Sequence, residues 1–267
     1  MKLTIIGAGN IGGAIASGIG KSELFQALEV CCTDILPEKL SEIKKANPSA
    51  QVVTDNLSAV KDADIVIIAV KPWLVETIID EIKEALDYER QIVVSVAAGV
   101  EFFSLCRYLG REDVGLPAIF RVIPNTAIAV RESVTFISSC NATNEQSALV
   151  KSIFDELGLT VIVSEYLINA CTALASCGIA YAFRYIRAAV VGAVELGIHP
   201  ELAKKIELQT LRGAVALLET YNNHPETEID KVTTPGGITI KGLNAMEEAG
   251  FTNAVIQGLK ASLICDD

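Results

Sequence analysis

Six residues near the amino terminus constrain this chain more than anything else in it. Gly7-Ala8-Gly9-Asn10-Ile11-Gly12 is a G-x-G-x-x-G run. It follows a short apolar strand, Lys2–Ile6, and opens a small-residue helix, Asn10–Gly20. Strand, glycine turn and helix in that order are the context in which the pattern has a mechanism. Gly7 permits the tight turn, Gly9 leaves room for a pyrophosphate, and Gly12 lets helix and strand pack closely. The free N–H groups at the start of the helix, from Asn10 and Ile11 onward, favour an anion. Asp34 ends the second strand about 20 residues later, where an acid accepts bonds from ribose hydroxyls and repels a 2′-phosphate. An Asp here can equally terminate the strand or cap a helix. Lys39 lies near in sequence, but no arginine stands beside Asp34. The balance leans toward NADH over NADPH.

The rest of the amino-terminal part alternates in the same way. Strands are expected at Leu28–Thr33, Ala63–Val70, Gln91–Val96, Ala118–Ile123, Ser133–Ser138 and Thr160–Val163. Helices are expected at Pro37–Ala46, Trp73–Leu86, Glu101–Leu109 and Glu145–Leu157. Ala63–Val70 reads ADIVIIAV, the near-continuous apolar run of a strand buried on both faces. This alternation predicts an α/β fold, a doubly wound Rossmann domain over residues 1–163. Strand signals then nearly vanish, and residues 164–267 read as an all-helical domain. Asn169–Leu196 reads as one helix about 42 Å long at 1.5 Å per residue. Gly197 caps it, and Pro200 starts a second helix to about Tyr221. A polar loop, Asn222–Glu228, leads to VTTPGG, and helices Ile238–Ala249 and Thr252–Ile264 close the chain.

Composition excludes several classes. The formal charge is −11, with no long basic run, which argues against a nucleic-acid surface. Charged residues at 21% and apolar residues at 51% exclude a disordered chain. The seven cysteines, 31, 32, 106, 140, 171, 177 and 265, form no C-x-x-C, and there are two histidines, so no metal site of usual spacing is expected. Reduced, mostly buried thiols in a cytoplasmic protein are expected instead. Leu3–Gly20 lacks charge but carries too many glycines for a signal peptide. Tyr166–Phe183 also lacks charge, and fits the centre of a bundle or a subunit interface in a soluble protein.

Two further regions carry chemistry. Ala69-Val70-Lys71-Pro72, Ala97-Ala98-Gly99 and Arg121-Val122-Ile123-Pro124-Asn125-Thr126 lie at or beyond the carboxyl ends of successive strands, where open α/β sheets bind ligands. Thr234-Pro235-Gly236-Gly237-Ile238-Thr239 opens a helix with exposed backbone N–H groups. A small carboxylate fits there, and so does a plain turn and helix cap.

Taken together with Asn56 in TDNLSAV, these segments resemble the pyrroline-5-carboxylate reductase family, in order, from residue 2 to about 260. The resemblance implies that Asn56, Ala69–Pro72 and Ala97–Gly99 line the dinucleotide, with Pro124 and Asn125 near the nicotinamide. It implies that Thr234, Gly236, Gly237, Ile238 and Thr239 hold the substrate carboxylate and ring nitrogen, with Thr239 in the catalytic position. Thr172 and Ser176 then belong to the helix that faces the substrate. The expected reaction is hydride transfer to the C=N carbon of 1-pyrroline-5-carboxylate, giving proline. The family forms dimers through its helical domain, so at least a homodimer is expected.

One segment departs from the pattern. Where the family has T-x-L-S-G-S-G-P-A-Y, this chain has Ala175, Ser176, Cys177 and Ile179. Losing the proline restores a backbone N–H and removes a source of kinking. Arg184 and Arg187 fall where neutral or acidic residues are expected. His224-Pro225 reads as structural. A reductase of another small cyclic imine, or a non-catalytic dinucleotide-binding protein, is the alternative. A hydroxyacid dehydrogenase, which has the same α/β-then-helical layout, is disfavoured, because that family needs a lysine early in the long helix as the base for alcohol oxidation and no lysine lies between 152 and 203.

Overall fold

The computed structural model describes residues 1–21 and 28–263. It divides into two compact units, residues 1–176 and residues 177–263. Ile264, the last residue of the expected closing helix, and Cys265 lie outside the described residues.

The first unit is built on one eight-stranded sheet. Its strands are β1 (Lys2–Ile6), β2 (Glu29–Thr33), β3 (Gln51–Val53), β4 (Ile65–Ile68), β5 (Ile92–Ser95), β6 (Ala118–Ile123), β7 (Ser133–Cys140) and β8 (Gly158–Ile162). They run in the order β3-β2-β1-β4-β5-β6-β7-β8. The order reverses at β1 and β4, which is the switch point where a doubly wound sheet opens its ligand crevice. Every strand pair is parallel except β6 with β7. That reversal follows from chain length. Only the stretch 124–132 joins the two strands, too short for a crossover helix.

Helices α1 (Asn10–Ile19), α2 (Pro37–Ala46), α3 (Asn56–Val60), α4 (Val75–Ile82), α5 (Phe102–Leu109) and α6 (Asn144–Asp155) connect the strands. One core joins Ile15 and Ile19 of α1 to Ile5, Ile67, Val94, Phe120 and Phe154. A second joins Ile79 and Ile82 of α4 to Val66, Ile68, Val93 and Leu105. The β4 residues alternate between them, as a strand buried on both faces must.

Three expectations change. The strand β3 and the short helix α3 fill what read as a connector, with Asp55 capping α3 through bonds from Leu57 N and Ser58 N at 3.2 and 3.1 Å. The expected continuous helix Asn169–Leu196 is α7 (Ile168–Cys171), a π-helical stretch over Thr172–Cys177, and α8 (Gly178–Glu195). The π stretch coincides with the departing TALASC segment. Such stretches concentrate at functional sites.

In the second unit, α8 is followed by α9 (Pro200–Tyr221), α10 (Pro225–Val232), α11 (Ile238–Glu248) and α12 (Phe251–Ala261). Helix α10 replaces most of the expected polar loop. Pro225 sits in its first turn, Glu226 and Glu228 follow, and Lys231 lies in its last turn, a dipole-matched order. His224 is its cap, with Nδ1 accepting from Glu226 N at 3.3 Å, which gives the histidine a structural role.

Of the six described cysteines, Cys31 and Cys32 are buried and the other four are half-buried, and all are free. Burial pushes the Cys32 thiol up to about 12. Burial, and then the Cys140 thiol 3.9 Å away, push Cys106 up to about 11. Both are poor nucleophiles at neutral pH.

Candidate functional site

The first unit has a cleft of about 490 Å³ at the switch point. It opens at the carboxyl ends of β1, β2 and β4. Gly7, Gly9, Asn10, Ile11, Asp34, Asn56, Ala69, Val70 and Lys71 line it, so nine of the expected cofactor residues share one cavity.

The glycine loop is shaped by close approach. Gly7 adopts φ +100°, and a Cβ there would meet Ala69 O at 2.7 Å. A Cβ on Gly12 would lie 2.0 Å from Gly7 O. Over Gly9 the situation is reversed, and a Cβ would have no neighbour within 4 Å. Backbone therefore fills the space beside Gly7 and Gly12, and the space above Gly9 is open. Helix α1 begins at Gly9 with no side-chain cap and no acid in its first turn. An open cradle with free N–H groups at a helix start is what a pyrophosphate requires.

Asp34 is tied down on both oxygens. Oδ2 accepts from Ala8 N at 2.7 Å and Oδ1 from Leu36 N at 2.9 Å. The carboxylate thus joins the glycine loop to the turn after β2. Each oxygen has a further lone pair, so capacity for ribose hydroxyls remains. Thr33 Oγ1 donates to Asn56 Oδ1 at 2.6 Å, and Asn56 Nδ2 donates to Glu81 Oε2 at 3.0 Å. Lys71 is exposed at the cleft rim and makes no ion pair among the described residues.

The remaining expected cofactor residues do not line this cleft. Gly12 acts from behind it through packing. Pro72 starts a 3-10 turn, and Ala97–Gly99 follow β5. Pro124 and Asn125 follow β6, where Asn125 Oδ1 accepts from Ala127 N at 3.0 Å. The sequence reading missed Ile6, Thr33, Ile35, Leu36, Thr54, Leu74, Ile78 and Val96, which also line the cavity. One signal was available: Ile35-Leu36 is an apolar pair immediately after Asp34, and Ile35 is 88% exposed. An apolar side chain beside Asp34 suits the face of an adenine ring.

Of the expected substrate residues, Thr172 and Ser176 belong to the first unit. Thr172 is buried, and its hydroxyl donates to Ile168 O at 2.7 Å. Ser176 Oγ donates to Pro124 O at 3.1 Å, which ties the π-helical stretch to the end of β6. Thr234, Gly236, Gly237, Ile238 and Thr239 belong to the second unit and form one turn and helix start. Gly237 N donates to Thr234 O at 2.9 Å, and α11 begins without a side-chain cap. Thr234, Ile238 and Thr239 are exposed in the single chain.

The first unit also holds an ion pair built on a buried arginine. Arg121 of β6 is 1% exposed and its Nη1 lies 2.6 Å from Glu165 Oε1. The same oxygen accepts from Phe102 N at 2.6 Å, at the start of α5. Arg121 Nε and Nη2 have no partner among the described residues.

Comparison with known proteins gives one consistent answer. Residues 165–264 match a family model described as pyrroline-5-carboxylate reductase dimerisation. Residues 2–99 match one described as NADP oxidoreductase, coenzyme F420-dependent. Pyrroline-5-carboxylate reductase 1 of Dictyostelium discoideum is 38% identical over 97% of this chain, and the chain spans about half of it, 48%. Pyrroline-5-carboxylate reductase 2 of the same organism is 37% identical over 98% of this chain and 90% of its own length. Among solved structures, the pyrroline carboxylate reductase of Plasmodium falciparum with NADP bound superposes with a TM-score of 0.86 at 25% identity, covering 98% of this chain and 95% of that one. A glycine cradle at the switch point, a helical second unit and this identity along the full chain agree: the protein belongs to the pyrroline-5-carboxylate reductase family.

Proposed function

We propose that this protein reduces 1-pyrroline-5-carboxylate to proline, the closing step of proline synthesis, as an oxidoreductase that uses a nicotinamide dinucleotide. The observation that carries the reading is the open space above Gly9 in a cleft closed behind by Gly7 and Gly12. Bound there, a reduced nicotinamide supplies the hydride that turns the ring C=N into C–H. The glycine loop and the α1 N–H groups hold the pyrophosphate, and Asp34 holds the ribose. We lean to NADH because Asp34 is an acid and its neighbour Lys39 is paired with Glu42 at 2.8 Å. Ala69–Pro72, Ala97–Gly99, Pro124 and Asn125 border the rest of the cofactor.

The substrate carboxylate sits on the uncapped start of α11, at Thr234, Gly236, Gly237 and Ile238. Thr239 shares a hydrogen bond with the ring nitrogen and orients the imine. A cyclic imine is basic enough to carry a proton near neutral pH, so orientation and exclusion of water matter more than a strong acid. The absence of a histidine or carboxylic acid from this set fits that chemistry. Thr239→Ala is expected to lower kcat/KM by at least tenfold, about 1.4 kcal/mol. A loss of threefold or less refutes a catalytic role for Thr239. Formation of proline in step with NADH consumed, read by amino-acid analysis, tests the reaction itself.

Residues 1–163 and 164–267 divide the labour as a dinucleotide domain and a domain for dimerisation and substrate binding. The helical run Glu165–Glu195 is apolar and long enough to cross a membrane, yet little of it is buried within the single chain. Phe183, Val191, Leu196 and Val215 are exposed apolar side chains on α8 and α9 and the turn between them. We infer that a second copy covers them in a cytoplasmic homodimer. Light scattering at micromolar concentration should give at least twice the 28.5 kDa of one chain. A mass of one chain contradicts this.

A further inference from the structure

We propose that Glu81 is a specificity-determining residue, a second acid at the ribose end of the cleft that disfavours a 2′-phosphate through Asn56. The inference rests on the dinucleotide reading of the cleft and concerns which dinucleotide is taken.

Asn56 and Thr33 both line the cleft, and Thr33 immediately precedes Asp34. The Asn56 amide is held from both sides. Its Oδ1 accepts from the Thr33 hydroxyl at 2.6 Å and its Nδ2 donates to Glu81 Oε2 at 3.0 Å. An ionised carboxylate only accepts, so the amide nitrogen must face Glu81 and the orientation is fixed. Asn56 is thereby joined to a negative charge carried by α4. A ribose with a free 2′-hydroxyl tolerates this surrounding, because Asp34 accepts from it. A 2′-phosphate brings about two negative charges and would meet Asp34 on β2 and the Glu81-bound amide beyond it.

The nearby cations do not relieve this. Lys39 is engaged by Glu42. Lys71 lines the cleft after β4, and β1 lies between β4 and β2 in the sheet. Glu81 is exposed, so its effect is moderate and sensitive to salt.

Glu81→Gln keeps an acceptor for Asn56 Nδ2 and removes the charge. Glu81→Lys reverses it. Dissociation constants for NADH and NADPH are read from the fluorescence of the reduced nicotinamide, for the full chain and both variants. The affinity ratio of NADPH to NADH should rise about threefold in Glu81→Gln and about tenfold in Glu81→Lys. The rise should shrink in 0.5 M salt. A ratio moving less than 1.5-fold in both variants, or NADH and NADPH shifting in parallel, overturns the proposal and leaves Glu81 an ordinary solvated acid. No imine is present in this experiment. A chain that binds dinucleotide but turns over no pyrroline-5-carboxylate therefore still decides the role of Glu81. A chain that binds neither dinucleotide overturns both readings.

Discussion

Gly12→Ala is expected to weaken dinucleotide binding at least a hundredfold, about 2.7 kcal/mol, and to lower kcat/KM in proportion. The added methyl carbon would lie 2.0 Å from Gly7 O and 3.0 Å from Ala69 Cβ. The first contact is with backbone, which cannot swing away as a side chain can. Helix α1 must then move off β1, or the Gly7 turn must open. Either change displaces the N–H groups at the helix start and the Ala8 N–H held by Asp34 at 2.7 Å. The cradle over Gly9 is lost although no residue that touches the ligand has changed. Titration of NADH into the variant checks this, with circular dichroism to show that the chain remains folded. Affinity within fivefold of the parent in a folded variant contradicts the account of the loop.

Glu165→Ala should destabilise the first unit by about 3–5 kcal/mol, because it strands a buried charge. Arg121 is 1% exposed, and its one ionic partner among the described residues is Glu165 at 2.6 Å. Its Nε and Nη2 are already without hydrogen-bond partners among the described residues, so losing Glu165 leaves the guanidinium without an acceptor there. The same substitution frees Phe102 N, which Glu165 caps at the start of α5. For a chain of this size roughly 2–4 °C of Tm accompanies each kcal/mol, which places the expected fall near 6–20 °C. Arg121→Met should cost less. It leaves Glu165, which is 34% exposed, able to reach water, and fills the site with an apolar chain of similar length. Thermal unfolding of both variants tests the pair. A fall below 2 °C for Glu165→Ala, or a larger one for Arg121→Met, contradicts the assignment of the buried charge.

The strand–helix alternation and the glycine loop were legible because each rests on local pattern. Periodicity, Pro37 at a first helical turn and the run ADIVIIAV all act within a few residues. Elements of less than two periods show no repeat of the pattern, so Gln51–Val53 and Asn56–Val60 were not legible. Helix Pro225–Val232 was hidden by its polarity, although proline first, acids next and lysine last already announced a helix. The π-helical stretch Thr172–Cys177 depends on backbone bonding that side-chain spacing does not encode.

For the site, Gly7, Gly9, Asn10 and Ile11 of the glycine pattern and Asp34, Ala69, Val70 and Lys71 at the carboxyl ends of β2 and β4 share one cleft, while Gly12 and Pro72 do not line it. Thr54, Leu74 and Ile78 did not announce themselves, since they reach it from turns and from α4 and carry no chemistry of their own. The pairs Asn56 with Glu81 and Arg121 with Glu165 join residues distant in the chain, and only the folded sheet brings them together.

The initial rate of 340 nm absorbance loss with pyrroline-5-carboxylate, run with NADH and with NADPH and repeated with a six-membered cyclic imine carboxylate, decides whether this chain is a proline-forming reductase. Robust turnover of pyrroline-5-carboxylate is expected, with a higher kcat/KM with NADH and at least tenfold less activity on the larger ring. Faster reduction of the six-membered imine, or no turnover of pyrroline-5-carboxylate in a chain that binds NADH, would contradict that reading.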